Sequence, residues 1–177
     1  MRAAALASTV LLLALAGPTA AQTRHNTNAP IDFGADSIEL QDRANRAVLS
    51  GNVSVRQAGM SLNAARMTVA YTGQVVGGNP QVSRLDASGG VTVRRPDQTA
   101  RSSYAIYDLN RRIITMLGAV TLTQGPNTVN GGRLTINLDT GRAVIDGSSV
   151  GSRGAAGGAT GTRGGRVTGT FSVPDRN

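Results

Sequence analysis

The sequence predicts an all-β fold: a repetitive antiparallel stack of strands, left open at its ends, with two facing sheets around an apolar interior. Three observations predict it. The stretch SGNVSVRQ at 50–57 recurs as SGGVTVRR at 88–95 and, more loosely, as LGAVTLTQ at 117–124. Within each copy apolar and polar residues alternate with period two. No stretch beyond the N-terminal leader keeps a helical period for three turns. A single active site has no use for three copies of one segment, whereas an architecture that adds unit beside unit does.

Two anchors define the unit. The recurrent glycine falls at Gly51, Gly89, Gly118 and then Gly147 in VIDGSSV, in steps of 38, 29 and 29. A second pattern, small-x-x-apolar-x-apolar, appears as Ala35/Ile38/Leu40, Ala64/Met67/Val69, Ser102/Ala105/Tyr107 and Gly131/Leu134/Ile136, with steps of 29, 38 and 29. One nine-residue insertion, TGQVVGGNP at 72–80, reconciles both series. Its glycines and closing proline read as a longer loop.

The alternation fixes the faces. Ala47, Leu49, Gly51, Val53 and Val55 share one parity, against Asn52, Ser54 and Arg56. Leu85, Ala87, Gly89, Val91 and Val93 repeat this, as do Ile114, Met116, Gly118, Val120 and Leu122. One apolar and one wet face per strand describes an antiparallel sheet buried on a single side. Turn signals separate the strands: QDRAN at 41–45, DLNR at 108–111 and DTG at 139–141. A glycine in mid-strand marks a bulge, a bend or a close backbone approach. The same bend in every unit folds the sheet over on itself, with Ala35, Ala64, Ser102 and Gly131 placed to assist. Ile106 and Ile113 are expected opposite each other across the DLNR turn, on the outer face.

The flanks differ from this body. The opening MRAAALASTVLLLALAGPTAAQ reads as a signal peptide, residues 1–21, cleaved after Ala21: one charge, a short apolar run, small residues at its end. An uncleaved anchor is the alternative. A polar lead-in (22–31) precedes the repeat domain (32–147). The Gly/Arg-rich tail (148–177) has no apolar face and is expected to be disordered, although RVTGTFSV at 166–173 alternates briefly and offers a last strand. The chain of 177 residues has no cysteine, hence no disulfide and no lipobox. An exported chain of this kind fits a bacterial periplasm. All 18 basic residues are arginine and the formal net charge is +8. Such a balance ordinarily raises nucleic acid as a partner. Export argues against it, and so do five aromatic residues too scattered to form a stacking face. An anionic surface such as phosphorylated lipid headgroups fits better.

Catalytic sets are hard to assemble. His25 is the single histidine, in the polar lead-in, where a solvated role is the ordinary one. Without cysteine or a second histidine a zinc site would need carboxylates alone, and no Ser-His-Asp set forms around it. Without lysine there is no phosphate-binding P-loop. Asp42, Asp108 and Asp139 fall in turns, where aspartate caps backbone groups. The expectation is a protein that is not an enzyme and needs no metal or cofactor.

An apolar-lined open stack has two uses. Val, Leu, Ile and Met can fill it as a core, or the leaves can stay parted and hold hydrocarbon, at about 0.8 kcal/mol per buried methylene. Few large rings point inward, which suits a thin core or an incompletely filled one. Met67 and Met116 fill gaps in the first case and adapt to a guest in the second. Each terminal strand leaves backbone groups unpaired and can template another strand.

The leader, the block PIDFGADSIELQDRANRAVLSGNVSVRQAGMSLNAARMTVAY, and the later GGVTVRR and GAVTLTQ together resemble the OstA-like domain of the LptA family of periplasmic lipopolysaccharide-transport proteins. The Ala-Asp-x-Ile-x-Leu opening and the Gly-x-Val-x-Val strand carry most of the likeness, which spans roughly residues 32–147. The resemblance implies a twisted, OstA-like β-jellyroll whose interior binds lipid A acyl chains. It also implies head-to-tail assembly into a bridge, with an inner-membrane-anchored relative and the outer-membrane assembly protein as partners. The expected groove lining is then Ile38 and Leu40; Leu49, Val53 and Val55; Met67 and Val69; Val91 and Val93; Met116, Val120 and Leu122; Leu134 and Ile136. Two rival readings stay open here: a structural or adhesive β-solenoid with a filled core and no lipid, and a polysaccharide-active β-helix enzyme.

Overall fold

Period-two alternation becomes strand throughout. The computed structural model describes residues 25–73, 78–147 and 166–170. Short strands β1 (Asp32–Gly34) and β2 (Ser37–Gln41) precede six long ones: β3 (Arg46–Gln57), β4 (Met60–Thr72), β5 (Gln81–Arg94), β6 (Thr99–Asp108), β7 (Ile113–Gln124) and β8 (Asn127–Asn137). β9 (Ala143–Asp146) and β10 (Thr168–Thr170) follow. They form one antiparallel, unclosed sheet in which β3 to β8 are neighbours in chain order. β1 and β2 share the outer edge of β3, and β9 and β10 share that of β8. QDRAN folds as a 3-10 turn, Asp42–Ala44, closed by left-handed Asn45. DLNR and DTG also turn the chain. Positions 1–24, 74–77, 148–165 and 171–177 lie outside the described residues, and with them the signal peptide, part of the long loop and most of the tail.

The recurrent glycines are bulges. The ladder register shifts between Ser50 and Val53, Ser88 and Val91, and Leu117 and Val120. At each shift two consecutive residues are left-handed: Gly51-Asn52, Gly89-Gly90 and Gly118-Ala119, with φ from +46° to +83°. Glycine takes the first position because a Cβ there meets a neighbour: at Gly89 it would lie 2.7 Å from Ala65 Cβ. The bulged strands absorb the extra residue and keep their parity. Their partners cannot, so they change phase. On β4 the buried set runs Met60, Leu62, Ala64 and then Met67, Val69, Tyr71; on β6 it runs Ala100, Ser102 and then Ala105, Tyr107. The three-residue step in small-x-x-apolar is the trace of that slip. The small residue pairs with the valine just past the bulge: Val53 with Ala64, Val91 with Ser102, Val120 with Gly131.

The bend turns the two halves of the sheet toward each other, as the hydrogen bond from Tyr107 on β6 to Gln57 on β3 shows. Between them lies the core, with Leu49, Leu62, Met67, Leu85, Ile114, Met116, Leu134 and Ile136 almost fully buried. On the outer face Ile106 pairs with Thr115 and Ile113 with Asp108, so the two isoleucines are diagonal rather than opposite neighbours. The pairing of β6 with β7 begins at Asp108, and that places them two residues apart in register. The fourth glycine departs from its repeat. β9 stops at Asp146, and residues 128–130 of β8 are paired by β10, from the segment whose brief alternation offered a last strand.

Candidate functional site: an apolar cleft at the end of the stack

β1 and β2 are the last strands at their edge, so the apolar side is left uncovered there. An open cleft of about 540 Å³ results, within the range of small-molecule sites. Ile31, Phe33, Leu40, Ala47, Leu49, Val69, Tyr71, Val82 and Leu109 supply its apolar walls. Thr27, Asn28, Ala29, Gln57, Pro80 and Gln81 complete the lining, and none of these residues carries a formal charge. The chemistry suits hydrocarbon rather than an ionic headgroup.

One flank of the cleft is made by the lead-in, which folds back against the interior. Asn26 sets the turn: its carbonyl accepts from the Ala29 N–H at 3.2 Å and its side chain from the Asn28 N–H at 3.1 Å. The carbonyls of Thr27 and Ala29 then accept both Nε2 protons of Gln57, at 3.1 and 3.0 Å. Gln57 Oε1 accepts from Tyr107 Oη at 2.8 Å and from His25 Nε2 at 3.3 Å. A buried amide thereby uses its full hydrogen-bonding capacity. Burial pushes the Tyr107 hydroxyl up to about 12, so it stays a donor at ordinary pH. Burial also lowers His25 from its ordinary 6.5, the Gln57 hydrogen bond opposes this, and the nearby Arg95 charge adds to the lowering. Neutral His25 with its proton on Nε2 fits the contact.

The expected lining residues divide into three groups. Leu49, Val53, Val55, Met67, Val69, Val91, Val93, Met116, Val120, Leu134 and Ile136 all lie in the buried core, and Leu122 is half-buried against it. Ile38 and Leu40 lie on the edge strand β2, 47% and 54% exposed. Leu40, Leu49 and Val69 face the open cleft; deeper in, the interior is filled by the protein's own side chains. Sequence reasoning missed Ile31, Phe33, Tyr71, Val82, Leu109 and the lead-in residues as cleft walls. Gln57 could have been found, because it continues the parity of Val53 and Val55. Among the described residues no group of three or more His, Asp or Glu is placed to hold a metal.

Fold and cleft define an open antiparallel β-jellyroll with an uncharged apolar mouth. The chain belongs to the family described as LptA/(LptD N-terminal domain) LPS transport protein, whose sequence model matches residues 33–142. It carries the OstA-like domain of that family. An uncharacterized protein of Rhizobium meliloti (strain 1021) is 32% identical over 147 residues, 79% of each chain. A similar solved structure is LptH, the LptA homologous periplasmic component of the lipopolysaccharide transport device of Pseudomonas aeruginosa. Its TM-score is 0.67 at 19% identity, over 84% of this chain and 99% of that one, a likeness of fold.

Proposed function

We propose that the protein binds lipopolysaccharide through its lipid A acyl chains and carries it across the periplasm, from inner to outer membrane, as one link of a protein bridge. It thereby contributes to outer-membrane assembly. The observation that carries this reading is the uncharged cleft at the end of the stack, continuous with the buried interior. Burying ten methylenes there would contribute about 8 kcal/mol. Transfer is passive: tails move between equivalent apolar positions, and another component supplies the energy. The ends of the sheet support the bridge. Five of the six exposed large hydrophobic residues among the described ones lie at these ends, Phe33, Ile38 and Leu40 on β1 and β2, Val144 on β9 and Val167 immediately before β10, while Tyr104 lies on β6. Unpaired strand edges with apolar side chains suit strand addition by a second copy, or by inner-membrane-anchored and outer-membrane relatives. The leader pattern supports periplasmic placement.

Photocrosslinkers test the site. One at Leu40 or Val69 should capture lipopolysaccharide at the mouth, and one at Val91 or Val120 should capture it when the leaves part. Positions Asn52 and Thr92, on the wet face, should not. Equal capture at all positions would remove the groove. The packing of Met116 and Leu134 favours a second reading, a structural β-solenoid with a filled core and no lipid ligand. Native mass spectrometry of protein purified from its own membranes separates the two, since a filled core brings no lipid with it.

A further inference from the structure

The C-terminal edge of the sheet is built from two pieces that are not consecutive in the chain. β9 pairs with residues 133–136 of β8, and β10 pairs with residues 128–130. The N-terminal edge is divided in the same way, with β2 along residues 46–50 of β3 and β1 along residues 54–56. The registers connect these edges row by row. Asp32 leads through Arg56, Ser61, Arg94, Thr99 and Thr123 to Thr128, which pairs with Thr170. By the same route Gly34 lies in the row of Thr168, and Glu39 in the row of Val144. Strand direction alternates across the whole sheet, so β9 and β10 run opposite to β1 and β2. A second copy placed after β9 and β10 therefore continues the antiparallel order without a break.

We propose that β10 is the second half of a docking strand: it restores the edge that the repeat leaves incomplete after Asp146, and β1 of a second copy pairs with it while β2 pairs with β9. Residues 168–170 are then part of the assembly surface. This rests on the end-to-end reading above and adds to it a register: Asp32 of one copy faces Thr170 of the next, Gly34 faces Thr168, and Glu39 faces Val144. Charge fits the junction. In this register Arg166, just before β10, falls level with Asp36, whose carboxylate also accepts from Asn52 Nδ2 at 2.9 Å.

The chain has no cysteine, so introduced thiols report pairing cleanly. Two full-length single-cysteine proteins, Asp32→Cys and Thr170→Cys, are mixed and mildly oxidised. They should form a mixed disulfide in preference to Asp32→Cys with Thr168→Cys, which is two positions out of register. Glu39→Cys with Val144→Cys should also crosslink, through β2 and β9. Gly169→Pro, which disrupts β10 at an exposed site, should weaken self-association in sedimentation velocity by about tenfold. If the β2–β9 pair crosslinks while Asp32 and Thr170 do not, and Gly169→Pro is silent, the docking role of β10 falls and end-to-end assembly stands. If neither pair crosslinks, both fall.

Discussion

Gln57 ties together parts of the chain that no local pattern connects. It is buried, and it bridges the lead-in, β3 and, through Tyr107, the opposite leaf. Replacing it by Leu leaves two carbonyls, a hydroxyl and an imidazole without their partner, so Gln57→Leu should cost about 1–3 kcal/mol. Hydrogen exchange should show the lead-in released. Tyr107→Phe removes one bond and should cost about 1 kcal/mol, read from denaturant midpoints. His25 adds a pH dependence through its partial burial beside Gln57. Its folded pKa lies below 6.5, so the unfolded chain binds the proton more readily. Burial and the Arg95 charge, not the Gln57 hydrogen bond, disfavour the proton, so the stability tied to keeping His25 neutral is full above about pH 6.5 and is lost as pH falls through the lowered folded value. As the sole histidine it can be titrated by NMR without overlap. Arg95→Gln should raise its pKa, and an unchanged titration would show that the two groups do not face each other.

At the scale of the strand, the bulge is a two-residue device with unequal positions. The first has both a left-handed backbone and a close neighbour, whereas the second has only the backbone requirement. Gly89→Ala should therefore cost more than the roughly 1–2 kcal/mol of left-handed strain, because its Cβ would press on Ala65. Gly90 has open space around it, and its counterparts in the other bulges are Asn52 and Ala119. Gly90→Asn should be nearly neutral by thermal denaturation. Equal losses at the two positions would contradict this division. Gly131 is constrained differently: a Cβ there would meet Ile145 Cγ2 and, at 2.9 Å, the Asp146 carbonyl oxygen. Gly131→Ala should loosen β9, visible as faster amide exchange at residues 143–146.

For the whole molecule, the reading turns on an interior that is packed in the middle and open at one end. Depletion should leave newly made lipopolysaccharide at the inner membrane; normal arrival at the outer membrane would contradict the transport role. The enzyme alternative makes a contrary prediction, activity on a polysaccharide that is lost on single aspartate replacement. Asp42 is engaged by the Tyr71 hydroxyl, Asp86 by Arg84, and Asp139 by Arg112. These carboxylates serve turns and surface pairs, the latter worth little in energy.

The repeat, the buried parity of β3, β5 and β7 and the recurrent mid-strand glycine were legible in the residues alone; that the glycine is a bulge, and that its partner strands slip phase, came from the ladder register. The legible features follow from side-chain period and the backbone needs of a few residues, which are local properties. Leu49, Val53, Met67, Val91 and Leu134 could be placed inward for that reason. The remaining features depend on which distant segments meet. The lead-in folds back because Gln57 offers its carbonyls a buried partner. The cleft opens where β1 and β2 end the stack, so its walls come from Ile31, Tyr71, Val82 and Leu109, far apart in the chain. β10 reaches β8 although the fourth repeat stops at Asp146, because the edge of β8 still has unpaired backbone groups to satisfy. Period reports which way a side chain faces, and contact between remote segments decides what it faces.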